Sequence, residues 1–277
     1  SCRMFMFLVK CAEAHVITEK PIATKLEHAE AMVKAAEESG KKLYYAEDWL
    51  FAPALGKAME LVEQGAIGRQ MYIRARECHC GSHSPFAQKI EFCGGGSMIH
   101  LGCHPIGFML SLKNNRWTEL VAMTSGGGEN NMWHTSMEGE DWAGAFMRFQ
   151  DGTFATMEAN YVTVGGMEDI MDIYCERGTI KVDLSFRGPV QAFSIDGLDY
   201  TIEKAEVTTG WANVAVDEKY QLGYCGEINH FVECAMNGQD AQVGLRGVDG
   251  LEAMRVINLI YKSAKEGVNV KNDKLEA

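Results

Sequence analysis

Two short stretches carry the residue types for proton chemistry. GGGSMIHLGCHPIG, residues 94–107, sets His100 and His104 four residues apart behind three glycines, with Cys103 beside the second histidine. Residues four apart on a helix share a face, so the two imidazoles are predicted to point into one space. Such a pair suits proton transfer or two-nitrogen metal ligation. A satisfied core histidine beside a merely local one is an equal alternative. Glycines ahead of a helix permit close backbone approach, as a ligand-facing loop requires. In the second stretch, TEKPIAT, Glu19 and Lys20 precede Pro21 at the end of a β-branched run. A lysine at the carboxyl end of a parallel strand sits where ligands bind in such sheets, and it can polarise or protonate an oxygen. On pattern alone, a loop lysine reaching into solvent is the commoner outcome.

Other clusters are weaker. Cys78, His79, Cys80, His83 and Cys93 match no CxxC pairing or HExxH spacing, and alternation along a strand turns Cys78 and Cys80 away from His79. No metal site is expected. No GxSxG elbow marks a nucleophile. Trp211, Tyr220 and Tyr224 fall in a loop before a helix, where aromatics with a polar tip either line a sugar site or form the loop's own small core. With His79 they are the candidate substrate contacts.

The elements that must position these residues follow from hydrophobic periodicity. HVITEKP is a short strand stopped by Pro21. The next segment repeats Leu26, Ala29, Met32, Val33 and Ala36 at helical spacing up to Gly40. KKLYYA is a second strand, and PALGKAMELVEQG a second helix with proline in its first turn. Strand, helix, strand, helix is the pattern of parallel βαβ units. After Gly68 the texture changes. MYIRARECH is a strand, His100 to Leu112 a helix, and from Asp141 to Val207 strands such as WAGAFMRF, FATMEANYV, VQAFSI and YTIEKAEV follow one another across short turns, predicting a mostly antiparallel sheet. Two helices and a short VNV strand close the chain. The predicted fold class is therefore α/β plus α+β. A partial Rossmann-type parallel domain at 1–67 precedes an open-sheet domain at 68–277, with helices on one face.

Bulk properties bound the partners. With 277 residues, 47% of them hydrophobic, the chain can bury one large core or two modest ones. Its net charge of −12 argues against nucleic-acid and anionic-membrane partners. The nine cysteines form no disulfide spacing and the apolar opening SCRMFMFLVKCAEA is too short to span a membrane, so reduced thiols in a cytoplasmic protein are expected.

Four segments together resemble the Gfo/Idh/MocA family of NAD(P)-dependent oxidoreductases acting on sugars, cyclitols and related polyols. These are HVITEKPIATKLEHAEAMVKAAEESGKKL, DWLFAPALGKAMELVEQGAIGRQMYIRAR, GGGSMIHLGCHPIG, and GYCGEINHFVECAMNG with GLEAMRVINLIYKSAKEGVNV. The resemblance implies NAD or NADP as cofactor and hydride transfer at a sugar or polyol carbon. Lys20 then contacts nicotinamide and substrate hydroxyl, and His104 binds substrate and moves its proton. His100 stands where many members have aspartate. Glu19, Pro21 and Asp48 lie on the cofactor side, with Leu50 at the family's frequent arginine. A homo-oligomer, dimer or tetramer, built on the open sheet is also implied. The Rossmann GxGxxG fingerprint does not occur in these residues, and the resemblance begins near residue 9. A longer enzyme with about 80 more N-terminal residues is expected on that ground. The rival readings are a non-catalytic binding or assembly subunit lacking the cofactor half, and a metal-dependent lyase or hydrolase using His79, His100 and His104.

Overall fold

The computed structural model describes residues 14–65, 67–82, 84–185, 190–195, 209–214 and 217–275. The predicted strand at 200–207 and His83 lie outside them. The chain begins with β1 (Val16–Thr18), α1 (Leu26–Ser39), β2 (Leu43–Tyr45) and α2 (Pro53–Glu63). β1 and β2 pair in parallel with Ile17 opposite Tyr44, as the alternation of strand and helix requires. α1 buries Ala29, Met32, Val33, Ala35 and Ala36 on one face and stops at Gly40 in the left-handed region. Pro53 opens α2 at a position where its missing N–H costs nothing. The parallel pair is completed from far along the chain. The Tyr45 N–H bonds to the Leu245 carbonyl, and Tyr44 bridges Arg246.

The second part holds a seven-stranded sheet. Its strands are β3 (Gln70–Cys78), β4 (Trp117–Thr124), β5 (Trp142–Phe149), β6 (Phe154–Asn160), β7 (Glu168–Cys175), β8 (Gly178–Asp183) and β11 (Val270–Lys271), in the order β11-β4-β5-β6-β3-β7-β8. β3 runs parallel to β6, and every other pairing in the sheet is antiparallel. Period-2 alternation puts Ile73, Ala75, Ala145, Met147, Met157 and Ile173 on the buried face. A separate hairpin joins β9 (Val190–Ser194) to β10 (Gly210–Val214).

Helices cover the buried face. Between β3 and β4 lie α3 (Ile90–Cys93), α4 (Ser97–His100) and α5 (Cys103–Leu112). After the hairpin come α6 (Glu218–Gln221), α7 (Tyr224–Asn237) and α8 (Gly247–Glu266). α8 lies along β4 and packs against α1 and α5, so one core runs from Ile22 and Tyr45 through Phe108 and Ile257 to Ile173. The opposite sheet face leaves Met123, Phe146 and Phe154 exposed. No helix among the described residues is long and apolar enough to cross a membrane.

Two expectations change. The helix anticipated over His100–Leu112 is two helices, broken at Leu101 and Gly102, so His100 ends one and His104 opens the next. Pro105 explains the break, because a proline in a helix's first turn is free of the clash it would make in the interior. Trp211 lies in β10, paired with Phe193 of β9, and not in a loop before a helix.

Candidate active site

The glycines of GGGSMIHLGCHPIG make room for another backbone. Gly94 caps α3 at φ 88. A Cβ on Gly96 would sit 2.0 Å from the Glu140 carbonyl oxygen. That close approach lets the Glu140 carboxylate accept the Gly96 and Met98 N–H groups at 3.1 and 2.8 Å, while the Ser97 N–H reaches the Glu140 carbonyl. Tyr261 of α8 donates to the same carboxylate at 3.0 Å. α4 is thereby fixed before His100 appears. Gly96→Ala is expected to lower stability by more than about 3 kcal/mol, since neither backbone can yield. An unchanged denaturation midpoint would show that the two segments do not touch.

The carboxyl ends of β1 and β2 meet α4 and α5 at a cavity of about 620 Å³. Glu19, Lys20, Pro21, Asp48, His79, His100, His104 and Tyr224 all line it, with Glu77, Tyr161 and Glu227. Tyr220 is 60% exposed and outside the lining. The Trp211 side chain lies outside the described residues.

Lys20 reaches across the cavity and donates from Nζ to the His100 carbonyl at 2.9 Å. Burial opposes its charge, but the Cys103 sulfur and the carboxylates of Glu77, Asp48 and Glu47 outweigh that and hold its pKa above the usual lysine range. The ammonium keeps two further N–H groups for a ligand.

His104 is gripped from behind. Its Nδ1 lies 2.7 Å from Glu47 Oε1 and 3.1 Å from Asp48 Oδ1, and its ring stacks on Trp49 with centroids 5.9 Å apart. Burial and Lys20 disfavour the imidazolium, yet Glu47, Glu77 and Asp48 prevail and raise the His104 pKa well above the usual value. Burial also raises the Glu47 carboxyl, while the charge and hydrogen bond of His104 pull it down; the pair keeps its shared proton on Nδ1, donated to Glu47, and Nε2 is left for the cavity.

His100 is the opposite case. Burial first, then the Lys20 charge, lowers its pKa to about 4, so its ring is neutral at physiological pH. The Cys93 backbone hydrogen bond opposes that shift without prevailing, and Nδ1 meets the Tyr161 hydroxyl at 2.8 Å. Tyr161 is 1% exposed and its ring also meets His79 at 5.1 Å. The His79 Nδ1 accepts the Gly81 N–H at 3.1 Å, placing any proton of the neutral ring on Nε2. Cys103 is fully buried, and burial pushes its thiol up to about 11, so it packs as a neutral group.

Glu47, Tyr161 and Glu227 were not singled out in the sequence. Glu47 adjoins Asp48 just past a buried strand, and that position at the carboxyl end of β2 was the available signal. Among the described residues, Glu47, Asp48 and His104 are the group whose donor atoms lie close enough to share a cation. Their contacts, 2.7 Å from His104 Nδ1 to Glu47 and 3.1 Å to Asp48, are those of hydrogen-bonded ion pairs. His79 and His100 do not join that group.

Residues 55–181 match the model of the Gfo/Idh/MocA C-terminal domain. Residues 4–47 match that of the oxidoreductase family's NAD-binding Rossmann fold. A D-apiose dehydrogenase of Paraburkholderia graminis is 25% identical over 283 residues, covering 100% of this chain and 72% of the relative. A scyllo-inositol 2-dehydrogenase (NAD(+)) of Bacillus subtilis is 24% identical over 84% of this chain and 64% of its own length. Among solved structures, GenD2 from gentamicin A biosynthesis, in complex with NAD, superposes with a TM-score of 0.86 at 20% identity, over 97% of this chain and 74% of that one. The myo-inositol 2-dehydrogenase from Lactobacillus plantarum does so at 0.74 and 16%, over 98% and 76%. Both parts of the sequence match domain models of one family, and the parallel unit and open sheet form the fold of these neighbours; the chain belongs to the Gfo/Idh/MocA oxidoreductases.

Proposed function

We propose that this protein transfers a hydride between NAD and a CH–OH or C=O carbon of a sugar, glycoside or cyclitol. The observation that carries the reading is the placement of two protonated groups, the Lys20 ammonium and the His104 imidazolium, in one cavity at the carboxyl ends of parallel strands. The cavity falls within the roughly 300–1,000 Å³ of small-molecule and cofactor sites. Its wall of Pro21, Ala46 and Trp49 next to Glu19 and Asp48 fits a flat nicotinamide ring with a polar edge. When bound, the dinucleotide supplies or takes up the hydride.

The chain's own residues manage the proton. Lys20, fixed by the His100 carbonyl, polarises the reacting oxygen with a remaining N–H. His104 presents Nε2 to the same space. It donates when a carbonyl is reduced and must first lose its proton when an alcohol is oxidised. Glu47 sets the imidazole's orientation and charge. His100 and Tyr161 form a neutral pair that receives substrate hydroxyls, with His79 and Tyr224 on the same wall. Glu19 and Pro21 face the cofactor, and Asp48 stands on the cofactor side at its border with the substrate, beside Glu227.

We assign residues 1–67 to the dinucleotide-binding unit and 68–277 to the substrate and assembly unit. Self-association is placed on the uncovered sheet face around Met123, Phe146 and Phe154, to be checked by light scattering. A reducing, cytoplasmic setting fits the described cysteines, which form no disulfide with one another.

Purified protein is expected to enhance NADH fluorescence and to reduce NAD⁺ with scyllo-inositol, D-apiose or a related polyol. Polyol binding with neither nucleotide binding nor turnover in either direction would favour the binding-subunit alternative. A stoichiometric metal lost together with activity on chelation would favour the metal-dependent one.

A further inference from the structure

Glu227 sits in the first turn of α7, lines the cavity, and is 2% exposed. Its position is fixed by Gly223, which adopts φ 95 and packs so tightly on the turn after β2 that a Cβ would lie 2.3 Å from the Asp48 carbonyl oxygen. That contact holds the start of α7 against Glu47 and Asp48. The Glu47 backbone N–H bonds to the Glu227 carboxyl, while Glu227 Oε1 is buried without a hydrogen-bond partner. A buried carboxyl oxygen in that state is costly unless a ligand or a proton satisfies it.

The groups around Glu227 are mostly acidic. The end of β1 contributes Glu19, and the turn after β2 contributes Glu47 and Asp48. Across the cavity stand Lys20 and, from α5, His104; from α7 itself, Tyr224 shares the wall. Burial, then the charges of Asp48, Glu47 and Glu19, push the Glu227 pKa up to about 8. At neutral pH it is a carboxylic acid, a donor among acceptors.

We propose that Glu227 is a specificity-determining residue that donates its carboxyl O–H to a hydroxyl oxygen of the bound sugar or cyclitol, beside the accepting carboxylate of Asp48. An alcohol can accept from one and donate to the other. A ligand carboxylate cannot donate to Asp48, and an ammonium cannot accept from Glu227. The pair thus reads a neutral hydroxyl. This inference rests on the oxidoreductase reading of the same cavity.

The test compares wild type, Glu227→Gln and Glu227→Ala with the polyol that is turned over, scyllo-inositol or D-apiose. Wild-type KM is expected to climb as pH rises through about 8, because ionised Glu227 no longer donates. Glu227→Gln retains an N–H donor and cannot ionise, so its KM should stay within about threefold of wild type at neutral pH and lose the alkaline climb. Glu227→Ala should raise KM by about tenfold with little change in kcat. The Kd for NADH should not move. An alkaline climb that persists in Glu227→Gln, or a shift in the NADH Kd in place of KM, would overturn the proposal. If no variant turns over any polyol, the oxidoreductase reading fails by itself. Calorimetric titration of the same polyol then decides the inference: weaker binding to Glu227→Ala supports it, and equal binding overturns it.

Discussion

Replacing Lys20 with alanine is expected to lower turnover by about 10²- to 10⁴-fold, the range for a positioned acid–base group. The protein should still fold, since Lys20 is half-buried and its side chain donates a hydrogen bond to the His100 carbonyl, while its backbone N–H keeps Glu19 as partner. Three effects combine in the loss. The reacting oxygen loses its polarising N–H. The carbonyl of His100 loses its partner, so α4 is less firmly aimed. Burial, the larger cause of the low His100 pKa, remains, but the Lys20 charge that adds to it disappears, so the His100 pKa should climb from about 4 part of the way to its ordinary value. That last effect is readable by imidazole NMR without any turnover. Lys20→Arg should not rescue, because a planar, more bulky guanidinium cannot occupy the place of a compact ammonium between His100 and the carboxylates. Activity within a few-fold of wild type in Lys20→Ala would remove the lysine from the chemistry.

Much of the framework was legible from the sequence. The parallel pair followed from short β-branched runs separated by a helix with one apolar stripe, and α1 buries Ala29, Met32, Val33 and Ala36 as that stripe predicts. The open sheet followed from strands in series across short turns. The placement of Lys20, His100 and His104 at a strand end and a glycine-led turn was legible too, and they line one cavity together with Asp48, which only the family resemblance had singled out. What the sequence hid depends on distant segments. Tyr161 meets His100 only because β6 lies beside β3 in parallel. Glu227 meets Asp48 only because Gly223 lets α7 press on the turn after β2. The protonation pattern was hidden for the same reason. Two histidines four residues apart look equivalent in sequence, yet one faces two carboxylates and the other faces Tyr161 and the Lys20 charge. Burial is shared, and the neighbours decide the sign.

His104→Ala is expected to cost as much as Lys20→Ala, about 10²- to 10⁴-fold, but Glu47→Gln is the more informative change. In the wild type the carboxylates hold His104 protonated well above its usual pKa. Reduction of a carbonyl uses that proton, so its rate should stay level through neutral pH and fall only in the alkaline range. Oxidation needs the neutral ring, so its rate should rise with pH up to the same point. The same sign holds for folding. A histidine whose pKa is raised in the folded state contributes stability that is complete below the ordinary value and is lost as pH climbs through the folded one. Glu47→Gln removes the nearer of the two carboxylates and leaves Asp48 at 3.1 Å. The His104 pKa should fall by about one unit or more. Both limbs should shift towards neutral pH by that amount: reduction fails earlier and oxidation starts earlier. Peak rates should drop about tenfold, since a glutamine can still accept from Nδ1–H and keep the ring in place. A His104 titration and rate profiles unmoved in Glu47→Gln would show that Asp48 alone sets the charge, and Asp48→Asn should then produce the shift. Limbs unmoved in both variants would place the reaction's proton on Lys20 in place of His104.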